Sequence, residues 1–310
     1  MDRRVFLAMS AAGMAQAQLP PAVLPAPAKA KITSAVMLWT LPGTFEQRVK
    51  IAAEAGLQTV GLRNEYTQWD AAQLPRAKRY MESFGMTAET LRANFNGSTK
   101  ADSMLDPARR EAFLANLRQA ILVAKKLETP NVVVVSGEEI SGRTRAEQHE
   151  NLVESAKQAG ALAAAADVML LLEPLSNKQE TKSFLCTWAE GVQLVKDVDN
   201  PHVRLLCSVY EEHMQVGTLA GLQGALEYTS CLTLADAPGR SEPGTGSIPF
   251  KEVYRTLQKM GYSHPVAMEY APKGQAVASL KRAVDQFRAA VNERGAPLAN
   301  PLNPTEGPFV

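Results

Sequence analysis

The sequence predicts an α/β chain folded as one (β/α)8 TIM barrel. Three observations carry that expectation. Apolar β-runs alternate with amphipathic segments along residues 31–294, eight such units can be counted, and two runs end on a glutamate, Glu173 in LLEP and Glu269 in AMEY. Strand–helix alternation builds a parallel sheet, and eight units close it into a barrel of about 250 residues, which a chain of 310 residues accommodates with extensions to spare.

The strands are expected at 33–39, 58–63, 87–93, 131–135, 168–173, 203–208, 230–235 and 265–269. NVVVV and VMLLLE are unbroken β-branched or aliphatic runs, as strands covered on both faces require. Helical spacing marks 44–55, 107–127, 145–166, 187–198, 250–260 and 275–293. In the second of these, Ala112, Leu114, Leu117, Ala120, Ile121, Ala124 and Leu127 fall on one face. Asp106 and Pro107 supply its start, a capping carboxylate followed by a proline in the first turn.

The ends read differently. MDRRVFLAMSAAGMAQA (1–17) has paired Arg3 and Arg4, an apolar stretch from Val5 to Ala15 and small residues in A-x-A spacing, so it predicts an export signal. Its Arg-Arg-x-Phe-Leu core resembles the twin-arginine type, which places the mature protein in the periplasm or outside the cell. The apolar stretch is too short for a bilayer span of about 20 residues. Residues 18–30 form a Pro/Ala tether, and 295–310 an irregular proline-bearing tail.

Lys and Arg number 33 against 32 Asp and Glu, a net charge of +1. That balance argues against nucleic acid, whose binders carry a basic face, and toward a small-molecule partner. Four scattered histidines do not make a multi-zinc nuclease cluster. Cys186, Cys207 and Cys231 are odd in number and widely spaced, which predicts free thiols. Strand alternation sends Cys207 and Cys231 to opposite faces.

In a parallel barrel the strand C-termini converge on one face, so Glu173 and Glu269 should share a mouth. Two carboxylates there can hold a hard cation and move protons beside it. Around them, Arg240 could pair with an anionic substrate or pin its own loop through Glu242 or Asp236. Trp39 is placed to stack on a sugar or cap the core, Glu65 to accept from hydroxyls, and Tyr210 and Tyr270 to wall the pocket.

ANLRQAILVAKKLETPNVVVVSG (115–137), LLEPLSN (171–177), LADAPGRSEPGTGSIPF and GYSHPVAMEYAPKG (261–274) resemble blocks of the hydroxypyruvate isomerase branch of the xylose-isomerase-like barrels. The thirteen-residue loop LADAPGRSEPGTG (234–246) is the most specific of them. The resemblance implies one divalent ion held by four oxygen ligands from strands 5 to 8. The outer two are glutamates, here Glu173 and Glu269, which would also act as acid and base. CSVYEEHMQVG (207–217) departs from the pattern: Ser208 stands where the family has Asp, Glu211 at a His and His213 at a Gln. CLTLAD puts Cys231 at a His and Thr233 at the Gln ligand.

Ser208 and Thr233 are neutral and short, so affinity for Mn²⁺ or Mg²⁺ should fall unless Glu211 swings in as a ligand, or His213 shifts the preference toward Zn²⁺. The expected function is a sugar or hydroxy-keto acid isomerase or epimerase working through an enediolate, with a degenerate metal site. The alternative is a metal-free barrel that binds a sugar-like ligand or a protein partner without turnover. A homo-oligomer is compatible with either.

Overall fold

Eight short strands run parallel and pair in chain order until β8 meets β1, closing a barrel in the computed structural model, which describes residues 32–93, 103–178 and 182–291. The strands are β1 (Ser34–Met37), β2 (Thr59–Leu62), β3 (Thr87–Arg92), β4 (Asn131–Val134), β5 (Met169–Leu172), β6 (Val203–Ser208), β7 (Thr229–Leu234) and β8 (Val266–Met268). Every expected strand is present, with ends shifted by at most two residues. The export signal, the tether and the C-terminal tail lie outside the described residues.

The helices are α1 (Phe45–Glu54), α2 (Gln73–Glu82), α3 (Arg110–Leu127), α4 (Arg145–Ala165), α5 (Trp188–Val198), α6 (Val209–Val216), α7 (Leu222–Leu226), α8 (Phe250–Lys259) and α9 (Ala276–Ala290). Of these, α2, α6 and α7 are additions to the sequence expectation. The start of α3 is a correction: Asp106 accepts from the Ala108 N–H in a turn, and the helix begins three residues beyond Pro107, at Arg110. Three helices open on a Thr-x-x-Glu/Gln box, in which the threonine hydroxyl takes the third N–H and the acid or amide returns to the cap. These are Thr44 with Gln47, Thr144 with Glu147, and Thr187 with Glu190.

Two apolar layers follow from strand alternation. Val36, Val132, Leu170, Leu172, Leu205, Cys207 and Leu232 face the helices. Ala35, Met37, Val133, Leu171, Leu206, Cys231 and Ala267 fill the barrel interior. Cys207 and Cys231 thus lie on opposite faces, as expected, and all three cysteines are free and buried. The interior is tight at Gly61, where a Cβ would sit 2.2 Å from Met37 Sδ and 2.7 Å from Thr90 Oγ1. The last helix fastens the closure, since Arg288 donates to Ser34 Oγ at 2.9 Å and to the Gly56 carbonyl at 2.8 Å. Among the described residues no helix is long and apolar enough to cross a membrane.

Candidate active site

Inward alternation along β5 (Leu171, then Glu173) and β8 (Ala267, then Glu269) carries both glutamates to the mouth. Glu173 N–H continues the ladder to the Val134 carbonyl at 3.0 Å, and Glu269 N–H to the Leu234 carbonyl at 2.9 Å. Both are buried, 2% and 5% exposed, and both line one narrow open cleft together with Trp39, Thr90, Arg63 and Arg92.

Each carboxylate meets a guanidinium. Arg92, the last residue of β3, contacts Glu173 directly. Arg240, from the loop after β7, bridges Glu211 at 2.6 Å and Glu269 at 3.1 Å, and its Nε also donates to the Glu269 carbonyl at 3.3 Å. Burial pulls the Arg92 guanidinium down to about 10, and nearby Arg63 works in the same direction, yet it stays charged at neutral pH. Burial also lowers Arg63, with Glu269 opposing. For Arg240 burial again works downward, but Glu269 and Glu211 outweigh it and the net shift is upward. The guanidiniums of Arg63 and Arg240 lie 4.8 and 5.5 Å from the Trp39 ring centre, and Arg240 lies 4.8 Å from that of Tyr210.

The loop that presents Arg240 is folded around a buried carboxylate. Asp236 is fully buried and accepts four backbone N–H groups: Ala237 at 2.8 Å, Gly244 at 2.8 Å, Gly246 at 2.8 Å and Ile248 at 3.0 Å. Gly246 is obligatory there, since a Cβ would lie 2.0 Å from the Ala237 carbonyl oxygen. Glu242 ties the far side to Lys273 N–H and Ser279 Oγ, both at 2.8 Å, and the Tyr210 hydroxyl donates to the Pro238 carbonyl at 3.0 Å. At its tip Arg240 adopts φ of +47°, uncommon for a side chain of that size. Arg240 therefore does not pin its loop through Glu242 or Asp236, one of the two readings the sequence left open. Asp236 already serves the backbone, and the guanidinium reaches Glu269 and Glu211 from behind, Arg240 and Tyr210 both lying outside the cleft lining.

The other expected site residues are spread more widely. Tyr270 is fully buried against Ser279 Oγ at 3.2 Å. Glu65 turns back to accept from Arg63 and Asn64 N–H at 2.7 and 3.1 Å and faces Arg48 at 3.5 Å, outside the cleft lining. His213 Nε2 lies 3.2 Å from Ser247 Oγ, also outside that lining. Arg63 and Arg92 are the cleft residues that sequence reasoning missed. Their signal was an arginine closing, or directly following, an apolar strand (GLR, TLR), where a buried charge needs a partner.

The residues do not fit a divalent ion as they stand. Ser208 Oγ accepts the Glu211 N–H at 3.3 Å and caps α6, and the buried Thr233 hydroxyl has no hydrogen-bond partner. Glu211 is committed to Arg240 and to the Ser176 N–H at 2.9 Å. Among the described residues no three His, Cys, Asp or Glu side chains gather as a metal-binding group. The guanidiniums of Arg92 and Arg240 ion-pair with the two glutamates where a dication would sit, although Glu173 Oε2 and Glu269 Oε2, like Thr233 Oγ1, accept no hydrogen bond.

Residues 49–290 match the xylose isomerase-like TIM barrel family, and the chain belongs to it. Among curated relatives, a Homo sapiens protein named "Putative hydroxypyruvate isomerase" is 27% identical over 278 residues, covering 86% of this chain and 97% of its own. The hydroxypyruvate isomerase of Escherichia coli (strain K12) is 26% identical over 183 residues, 59% of this chain and 70% of its own. Among solved structures, an AP endonuclease of family 2 from Brucella melitensis superposes with a TM-score of 0.73 at 23% identity, covering 83% of this chain and 98% of that one, a likeness of fold alone.

Proposed function

We propose that this chain is an isomerase or epimerase of a small hydroxy-keto acid or sugar, with Glu173 and Glu269 as its proton carriers. The observation that carries the reading is that both carboxylates, from the ends of β5 and β8, line one cleft. The hydroxypyruvate isomerases among its relatives support the reaction class.

One glutamate takes the proton from the carbon beside the substrate carbonyl, and the C–H electron pair moves into a C=C bond while the carbonyl π pair moves onto oxygen. The resulting enediolate is reprotonated on the neighbouring carbon in an isomerisation, or on the opposite face of the same carbon in an epimerisation. The second glutamate moves the hydroxyl proton between the two oxygens. The test is deuterium incorporation at carbon when hydroxypyruvate or a ketose panel is incubated in D₂O. Glu173→Gln and Glu269→Gln should each lower the rate by about 10²–10⁴. Absence of exchange in the wild type would overturn the reading.

A second reading, ligand binding without turnover, is favoured by the ion pairing itself. Each carboxylate is engaged by a guanidinium that a substrate has to displace before proton transfer. Saturable ligand binding with no exchange would select it. We further propose export through the N-terminal signal, supported by the paired arginines and A-x-A spacing of residues 1–17.

A further inference from the structure

We propose that Arg92 and Arg240 together replace the divalent cation of this site, so that it works without metal and binds the paired oxygens of its ligand through guanidinium N–H groups. This rests on the reading of the cleft as the place where an enediolate forms, but it concerns a different pair of residues and has its own readout.

Three observations carry it. The first is charge: the half-buried guanidiniums of Arg92 and Arg240 face Glu173 and Glu269 with the formal +2 of a divalent ion, Arg240 being shared with Glu211 and Arg63 adding a third cation to the cleft lining. The second is what happened to the other two positions that the family resemblance marks as ligands. Ser208 is consumed as a helix cap, and Thr233 is left buried with no partner. A cation entering now would meet two positive groups and find two neutral hydroxyls. The third is how Arg240 is held. A carboxylate hub of four N–H bonds, a left-handed backbone and a second carboxylate, Glu211, hold one side chain against the cleft residues Glu269 and Trp39. Loop strain and a buried anchor of that kind mark a positioned group rather than a solvated one.

The chemistry suits the assignment. A guanidinium is planar, stays charged and presents five N–H donors in a fixed fork, which matches two oxygens on adjacent carbons. Arg240 spends Nε and one Nη1 hydrogen in hydrogen bonds to the Glu269 carbonyl and to Glu211, while its Nη2 meets Glu269 as an ion pair without a hydrogen bond, which leaves the two Nη2 hydrogens and one Nη1 hydrogen for a ligand. Negative charge that builds on the carbonyl oxygen then meets donors already in place. Thr90, Trp39 and Arg63 also line the cleft, beside apolar Met37, Leu62, Val133 and Leu206.

The experiment uses the full chain after chelator treatment and has two arms. Calorimetry with Mn²⁺ and Mg²⁺ should show no stoichiometric binding at millimolar metal. Calorimetry with oxalate, a planar dianion with oxygens on adjacent carbons, should show saturable binding that weakens by about tenfold or more in Arg92→Met and in Arg240→Met, with Arg92→Lys in between. Glu173→Gln, which frees Arg92 from its partner, should bind oxalate at least as tightly as the wild type; a purely structural role for Arg92 does not give that result and would weaken binding instead. Stoichiometric Mn²⁺ binding abolished by Glu173→Gln would overturn the proposal, and so would oxalate affinity that is unchanged in both methionine variants. Arginine-dependent oxalate binding without deuterium exchange would leave it standing while the isomerase reading fails. Exchange that requires added Mn²⁺ would do the reverse.

Discussion

Arg92 sits at the end of β3 with its side chain 14% exposed, facing a Glu173 side chain that is 2% exposed. Removing one partner of such a pair strands the other charge in a low-dielectric site, which costs about 3–5 kcal/mol, whereas replacing both with apolar groups is often neutral. Arg92→Met should therefore lower unfolding stability by about that amount, and Arg92→Met with Glu173→Leu should recover most of it, as read by urea denaturation. Additive losses in the double variant would contradict the pairing. Glu212 offers a separate test away from the cleft. It is buried, caps α5 through the Trp188 N–H at 2.8 Å, and burial pushes its carboxyl up to about 7, with that hydrogen bond only partly opposing. A carboxyl raised above its unfolded value of about 4.3 contributes stability that is full below pH 4 or so and lost as pH rises through about 7. Glu212→Gln should accordingly melt higher than the wild type at pH 8, with the gap narrowing toward pH 5. A gap that is constant with pH would show that Glu212 does not titrate in this range.

At the scale of elements, the pieces legible in the sequence were those with a local physical signature. Strand β6 was legible because VRLLCS is an apolar run in which every residue but Arg204 is buried, and α4 because its Thr-x-x-Glu box and its length leave little alternative. The short helix α6 was not: Ser208 reads as a lost ligand, and only the structure shows its hydroxyl capping the next turn. The role of LADAPGRSEPGTG was half legible. Its composition marked a special loop, but the four N–H groups gathered by Asp236 come from residues up to twelve positions away, and only folding brings them together. Arg92 was missed for a related reason, since its partner Glu173 is eighty-one residues on and adjacency exists only once the barrel closes. The caps themselves make a prediction. Thr187→Ala removes the hydroxyl that takes the Glu190 N–H at 3.2 Å, and should cost about 1 kcal/mol of stability without altering ligand binding. Loss of ligand affinity in that variant would show that α5 is coupled to the mouth.

At the scale of the whole molecule, closure sets which residues can meet. Strand order places β5 and β8 three positions apart around the ring, and inward alternation then aims Glu173 and Glu269 at the same cleft, although ninety-six residues separate them in the chain. The arginines arrive from β3 and from the loop after β7, so four elements contribute to one small charge network. The N-terminal export signal is a further whole-chain expectation: the secreted or periplasmic protein should begin at Gln18 when its N-terminus is sequenced, and an intact Met1 in that fraction would contradict it. The most direct measurement of the central claim is proton NMR of hydroxypyruvate incubated in D₂O with chelator-treated full-length protein. Deuterium entering at carbon with the wild type, and falling by about 10² or more in both Glu173→Gln and Glu269→Gln, is the predicted result. No exchange with the wild type, or exchange that survives in both variants, would contradict the account.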